Sequence, residues 1–304
     1  MIATGQTLKV MEEVKGRSLW VDARRRLVRN RAAMAGIVIL CVIALLALLA
    51  PMLSPFAFDA INYDIIACAP NWWPGEPACR ASGHIFGTDS VGRDLFVRVL
   101  FGARVSLAVG LVATLVSLLI GVFYGAVAGY LGGRVDALMM RLVDILYSLP
   151  FVFFVIILMV VFDRNFILLF VAIGAVEWLT MARIVRGQTL SIKQKEFIEA
   201  ARAAGVGPLA IIARHVIPNV VGPVVVYVTL TVPGVILTES FLSFLGLGIQ
   251  EPLTSWGVLV SDGAGQMETA PWMLVFPALF MAVTLFCFNF VGDGLRDALD
   301  PKDR

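Results

Sequence analysis

The sequence has few charged side chains and lacks the short motifs on which common enzyme chemistries depend. Only 15% of its 304 residues are charged, against about a quarter in a soluble globular domain. It has two histidines and contains no GxxxxGK[ST], HExxH or GxSxG motif. We therefore expect no catalytic site, no cofactor or metal bound by this chain, and no nucleic acid partner.

Cysteine is also scarce, with four residues and no CxxC pair, which argues against a cysteine metal site. Cys41 and Cys287 lie in apolar runs, where a small packing side chain is the simplest interpretation. Cys68 and Cys79 share one polar loop, expected below to lie outside the cytoplasm, where oxidation is permitted. A disulfide between them is a hypothesis at this stage, because the sequence does not give their separation.

Apolar residues are abundant, at 59% of the chain with a mean hydropathy of +0.89. Backbone groups in lipid are satisfied only in helices or closed barrels, and long unbroken apolar runs exclude the alternating pattern of a barrel. The sequence therefore predicts an all-α polytopic membrane protein with six transmembrane helices. The expected spans are about 33–53, 105–130, 137–162, 166–184, 217–244 and 272–291.

Two of these spans carry features that predict their packing. Gly121, Gly125 and Gly129 recur at a four-residue spacing, so that face of the second span is expected to lie against protein rather than lipid. Pro150 is expected to kink the third span.

The basic residues predict the orientation of the bundle. Most of the 24 lysines and arginines fall in residues 1–35, 131–141, 183–216 and 292–304, which an even number of spans places on one side. The positive-inside rule assigns that side to the cytoplasm, together with both termini. Residues 1–31 lack the pattern of a cleaved signal peptide, so we expect an uncleaved anchor.

One cytoplasmic stretch, residues 195–219, is polar and rich in helix formers between two apolar spans. Gly205 is suited to a left-handed helix end, and Pro208 to the first position of a second short helix. Pro218-Asn219 is expected to close that helix and open the fifth span. A loop with this much predicted structure indicates that another molecule docks on it.

The motifs of this stretch resemble the EAA loop of ATP-binding-cassette importer permeases. The shared residues are Glu199, Ala200, Ala201, Gly205 and the His215-Val216-Ile217-Pro218 run. The usual pattern ends with Ile-x-Leu-Pro, and His215 and Ile217 replace its two aliphatic residues here. The order of further motifs is similar to the C-type permease of oligopeptide and dipeptide importers. These motifs are GTD at 87–89, GRD at 92–94, GAR at 102–104, ARIVRG at 182–187, SFLGLG at 243–248 and GDGLRDALDP at 292–301.

The resemblance implies a type I importer permease fold in the bacterial inner (cytoplasmic) membrane. It implies a homologous B-type permease, two ATP-binding subunits that hold ATP and Mg, a periplasmic peptide-binding protein, and contact with membrane lipid. Glu199, Ala200, Ala201, Arg202 and Gly205 are the expected ATPase-coupling residues. The expected organisation is a cytoplasmic segment 1–32, a first helix 33–53, a periplasmic segment 54–100, a five-helix core 101–292 with a coupling loop at 187–216, and a cytoplasmic tail 293–304.

Two intramembrane carboxylates are candidates for the translocation path, because such groups normally face a bundle interior. Glu239, with Ser243 nearby, either lines the outer path or caps the end of the bundle. Glu177 either contacts the solute or pairs internally with a basic group. Asp144 is expected to pair with Arg141, three residues before it on the same helix face.

Competing functions remain at this point. Within the same family, dipeptide, nickel or murein-peptide import would give a similar sequence. An ion-coupled secondary transporter using Glu177 or Glu239 would predict inverted repeats, which the sequence does not show. A structural membrane protein without a solute path is the third class.

Overall fold

The structure, a computed structural model, describes residues 19–74, 76–162 and 166–299. Within these ranges the chain is built of helices, with one isolated bridge between Thr88 and Asp94. The all-α prediction is confirmed. The α-helices, in chain order, are α1 (Leu19–Arg29), α2 (Arg31–Leu53), α3 (Pro77–Ala81), α4 (Leu95–Leu131), α5 (Gly133–Ser148), α6 (Phe151–Val161), α7 (Phe166–Ile192), α8 (Glu196–Ala203), α9 (Pro208–Ile211), α10 (Ile217–Phe244), α11 (Trp256–Ala264) and α12 (Trp272–Leu299).

Five helical stretches of the described chain are long and apolar enough to cross a membrane, and α5 with α6 raises this to six if the bent pair is one span. The sixth predicted span ends at residue 291, whereas α12 continues to Leu299. The fourth predicted span similarly ends at residue 184, whereas α7 continues to Ile192. Hydropathy marks where a helix leaves the lipid, and polar residues such as Arg296 continue the helix beyond that point.

The third predicted span is broken rather than kinked. Helices α5 and α6 meet at an angle of 79°. Leu149, the residue between them and before Pro150, has an extended backbone with φ −74° and ψ 129°. A proline disfavours the helical region for the residue before it, and here that preference ends α5 completely.

Helices α4 and α7 pack along each other at very short range. A Cβ placed on Gly121 would lie 2.6 Å from Cβ of Met181, and one placed on Gly129 would lie 2.8 Å from Cβ of Thr189. Neither site has room for a larger side chain, so the glycine face lies against protein as predicted. Helix α12 closes the bundle by packing against α2, α10 and α11.

A polar segment between α2 and α4 forms a compact cap over the end of the bundle where α2 ends and α4 begins. Its centre is Asp89, whose Oδ2 lies 2.6 Å from Arg93 Nε and 3.3 Å from Arg98 Nε. Burial lowers the pKa of Arg93, but hydrogen bonds to Asp89 and Glu251 outweigh it, so the net pKa is raised. The Arg93 guanidinium thereby links the cap to the loop after α10 through Glu251, 2.8 Å away.

The two cysteines of this cap, Cys68 and Cys79, are joined as a disulfide, with their Cα atoms 5.3 Å apart. Both side chains are buried. Cys287 is buried in α12, as expected of a packing residue, whereas Cys41 is exposed on α2.

Candidate coupling site

Helix α8 ends in a glycine-centred turn that fixes the direction of the following chain. Gly205 has φ +77°, a conformation that side chains with a Cβ rarely adopt. The Gly205 N–H donates to the Arg202 carbonyl at 2.9 Å, and the Val206 N–H donates to the Ala201 carbonyl at 3.1 Å. This pair of bonds is a Schellman motif, in which a left-handed residue satisfies the last carbonyls of a helix. The predicted left-handed role of Gly205 is confirmed.

One face of α8 is anchored in the bundle by Ile198. Its side chain is fully buried in a cluster with Met181 and Val185 of α7, Ile211 of α9 and Val220 of α10. An eight-residue helix is marginal by itself, because nucleation is unfavourable and few hydrogen bonds follow it. The position of α8 therefore depends on this buried contact, and a displacement of α8 would act on three membrane-associated helices together.

A second contact joins α8 to the end of α4. The Arg202 Nε donates to the Tyr130 hydroxyl at 3.1 Å, and the guanidinium carbon lies 5.0 Å from the centre of the Tyr130 ring. The hydrogen bond and the cation–π contact fix both the distance and the direction of the guanidinium. Arg202, one of the predicted coupling residues, thus connects α8 to this chain's own bundle.

The opposite face of α8 is open. Glu199, Ala200 and Ala203 are exposed, as are Phe197 of the same helix at 43% and Leu209 of α9 at 69%. The two small alanine side chains leave a shallow surface on which another protein can approach the helix closely, and exposed large apolar side chains are typical of such contact surfaces. Ala201 lies instead on the inner side, half-buried against the Ile198 cluster.

The expected second short helix is not a separate element, and this prediction was wrong. Helix α9 begins at Pro208, as expected, but the chain remains helical from Pro208 to Phe244. A π-helical stretch, Ile212–Val216, precedes Pro218 and shifts the hydrogen-bond ladder where the proline has no N–H to donate. The Asn219 side chain donates to the His215 carbonyl at 2.7 Å, so Pro218-Asn219 continues the helix.

Two ion pairs join α7 to α5 near the same end of the bundle. Arg186 binds Asp136 through two bonds of 2.6 Å, and Arg183 Nη2 lies 2.9 Å from Asp144 Oδ1. The expected Asp144–Arg141 pair is therefore wrong. The guanidinium of Arg183 also lies 4.5 Å from the Tyr147 ring centre, and this tertiary contact holds it beside Asp144.

Glu239 and Ser243, two of the path candidates, lie inside the protein. The Glu239 side chain has no exposed surface, and its Oε1 accepts hydrogen bonds of 2.6 Å from both Ser243 and Ser255. Ser106 Oγ lies 3.4 Å from the other carboxylate oxygen. The carboxylate thus ties α4, α10 and α11 together, and its full burial argues against a path lining by the described chain.

Glu177 is placed differently. It is half-buried on α7 and has no hydrogen bond or ion pair with the described residues. Its carboxylate and the Tyr227 side chain are close enough to interact electrostatically. Tyr227 lines a cleft of about 490 Å³ between α7, α10 and α12, which also includes Gln188 and Arg296. The internal ion pair, one of the two alternatives for Glu177, is therefore absent from the described chain, and the carboxylate remains available to a solute or a partner subunit.

The residues that sequence reasoning missed are Ile198, Tyr130 and the Arg186–Asp136 pair. Ile198 carries a local signal, because it and its neighbour Phe197 are the large apolar residues of a helix that is otherwise polar or small. The contact of Tyr130 with Arg202 spans 72 positions, and that of Asp136 with Arg186 spans 50. Neither pair carries a periodic signal in the sequence.

Two family models match this chain. The model described as "Binding-protein-dependent transport system inner membrane component" matches residues 117–304, more than half of the sequence, including all of α8. The chain belongs to this family. A second model, the "N-terminal TM domain of oligopeptide transport permease C", matches residues 18–70, which contain α1 and α2.

Curated relatives of the same family cover nearly the whole chain. It is 63% identical over 292 residues to the oligopeptide transport system permease protein OppC of Escherichia coli (strain K12), covering 96% of this chain and 94% of that one. The OppC protein of Bacillus subtilis (strain 168) is 44% identical, with 95% and 92% covered. The dipeptide transport system permease protein DppC of the same organism is 46% identical, with 93% and 86% covered.

A solved structure supports the same fold. A chain of the inward-facing MetNI methionine ABC transporter superimposes with a TM-score of 0.55 at 19% identity, covering 68% of this chain and 96% of that one. From the family match and the curated relatives, the protein is a multi-pass inner-membrane permease of an ABC importer, a transport component rather than an enzyme, that acts with permease and ATPase partners. The described residues contain no cluster of side chains suited to a metal ion.

Proposed function

We propose that this chain forms, with a homologous B-type permease, the pathway for oligopeptide uptake across the inner membrane. The observation that carries the proposal is the two-sided geometry of α8. One side is buried in the bundle through Ile198, and the other presents Glu199 and Ala200 to a partner. This arrangement suits a helix that receives a movement from outside the chain and passes it to the membrane helices.

The partner on the open face is an ATP-binding subunit, two of which act on the permease pair and hold the ATP and Mg. Glu199 is exposed and has no ion pair among the described residues, so it is available to a basic group of that subunit. A periplasmic peptide-binding protein delivers the cargo at the opposite end. This orientation, with both termini in the cytoplasm, is supported by the concentration of lysine and arginine on the α8 side.

Oligopeptides are the proposed cargo because of the 63% identity to the Escherichia coli relative, compared with 46% to the Bacillus subtilis dipeptide permease. Dipeptide import is the second candidate, since the Bacillus subtilis oligopeptide relative is no more similar than the dipeptide one. Glu177 is the candidate for contact with cargo or with the second permease. Glu239 and Ser243 are assigned to the buried hydrogen-bond network.

Peptide uptake in a strain that carries all partner subunits tests this proposal. Glu199→Arg reverses the charge of the open face and is expected to abolish uptake of a labelled tripeptide while the protein still inserts. Glu268→Arg makes the same charge change at an exposed position of the outer loop and is expected to leave uptake near normal. Normal uptake by the Glu199 variant at normal abundance would overturn the coupling assignment.

A further inference from the structure

Helix α1 is attached to the bundle by one face. Ala23 is buried, and Leu27 and Asn30 lie beside Gly294 of α12, where an added Cβ would be 3.3 Å and 3.4 Å from their side chains. Asn30 has an extended backbone, and its side chain accepts a 3.2 Å hydrogen bond from Ala33 N that starts α2. The helix is therefore a separate arm, fixed at the point where the first membrane span begins.

The opposite face of α1 combines apolar and basic side chains. Val21 and Val28 are 51% and 57% exposed, and Arg24 and Arg25 lie between them at helical spacing. Together with Arg29 they line an open groove of about 610 Å³. No carboxylate of the described residues forms an ion pair with Arg24, Arg25 or Arg29.

The position of this face follows from the length of the next helix. Helix α2 has 23 residues and is about 34 Å long at 1.5 Å per residue. It therefore spans a hydrocarbon core of about 30 Å with little to spare. Its outward side chains, among them Val38 and Val42, are exposed and apolar, as lipid contact requires. The C-terminal end of α1, which is one residue from the start of α2, accordingly lies at the level of the lipid headgroups.

We propose that the exposed face of α1 lies in the membrane surface and binds anionic phospholipid headgroups through Arg24, Arg25 and Arg29. The two valines enter the upper acyl region, while the guanidinium groups extend to the phosphates. An acidic protein surface would pair with the arginines but would leave the valines without apolar contact. The inference does not depend on the cargo or on the ATPase partner.

The first test measures where the face lies. A bimane fluorophore is attached at Val28→Cys in a Cys41→Ala, Cys287→Ala background, and the intact chain is reconstituted in nanodiscs. Quenching by lipids brominated near the headgroup is expected without any partner subunit. Absence of quenching would overturn the proposal. So would a fluorophore that becomes shielded from water only when the ATP-binding subunits are added, since that result would identify a protein partner.

The second test measures charge selectivity with phosphatidylglycerol and phosphatidylcholine as probes. The chain is expected to retain phosphatidylglycerol preferentially in native mass spectrometry. Since each arginine near an anionic surface contributes about 1 kcal/mol, or about fivefold, replacing Arg24, Arg25 and Arg29 by glutamine should reduce that preference by up to about a hundredfold at low salt.

Two control variants separate charge from folding. Lysine at the same three positions keeps the charge and is expected to keep the preference. Glutamine at three exposed arginines elsewhere, Arg80, Arg134 and Arg214, removes the same charge and is expected to change it little. Equal retention of the two lipids by the unmodified chain, or an equal loss in the two glutamine variants, would contradict the assignment.

Discussion

Truncation of Ile198 should release α8 from the bundle without unfolding the protein. The side chain has no exposed surface, and an isoleucine-to-alanine change at such a site costs roughly 2–5 kcal/mol. Even the lower bound of about 2 kcal/mol would shift the equilibrium between docked and undocked α8 by about 30-fold, since about 1.4 kcal/mol is a factor of ten. Because an eight-residue helix is marginal alone, most of this loss should appear as local undocking of α8.

The undocked fraction can be followed by thiol labelling. Ala201→Cys, in the Cys41→Ala, Cys287→Ala background, places a thiol on the half-buried side of α8. When opening is rare and fast, the labelling rate is proportional to the open population. Ile198→Ala should therefore raise the rate by about 30-fold or more, and peptide uptake should fall with it.

The neighbouring residue provides the matched control. Phe197→Ala removes a larger side chain from the same helix, but that side chain is 43% exposed and lies outside the buried cluster. Its labelling rate should stay close to that of the parent. If Ile198→Ala and the parent label at the same rate, Ile198 does not hold α8, and the mechanical account of the coupling site is wrong.

Three further changes test separate parts of the structure. Gly205→Ala should raise the same labelling rate several-fold, because a Cβ at φ +77° costs about 1–2 kcal/mol. Gly207→Ala is the control and should leave the rate unchanged, because Gly207 has φ −65° and open space around it. Tyr130→Phe removes only the hydroxyl and should lower peptide uptake per ATP hydrolysed, at unchanged abundance; an unchanged ratio would exclude a role for that hydrogen bond. Replacing Cys68 and Cys79 by serine should destabilise the outer cap by about 2–3 kcal/mol, as expected for a disulfide between residues 11 positions apart, and thermal unfolding measures the loss. Detection of two free thiols in native membranes would refute the disulfide.

Features set by local chemistry were predictable from the sequence. The apolar runs located the membrane helices, and the glycine spacing identified the α4 face that packs on α7. Gly205 and Pro208 marked a helix end and a helix start, because the left-handed conformation and a missing N–H are properties of single residues. The EAA-like motif of the loop indicated the family that the comparisons show.

Features set by long-range packing were not predictable. Asp144 pairs with Arg183 because α5 and α7 are neighbours in the folded chain, and no pattern within α5 carries that information. Pro218 does not end a helix because a π-helical stretch precedes it and Asn219 satisfies a carbonyl. Glu239 is an intramembrane carboxylate in the sequence, and only the folded chain brings Ser255 within 2.6 Å of it.

Site-specific cross-linking at Ala200 tests the central claim most directly. A cysteine is introduced at this exposed position, in membranes that contain all partner subunits. It is treated with a short cross-linker that reacts with the thiol at one end and with nearby amines at the other. We expect an adduct with a nucleotide-hydrolysing subunit whose yield changes with added ATP, and labelling by an impermeant reagent from the cytoplasmic side alone. An adduct that never contains such a subunit, or labelling of the same cysteine from outside the cell, would contradict the account.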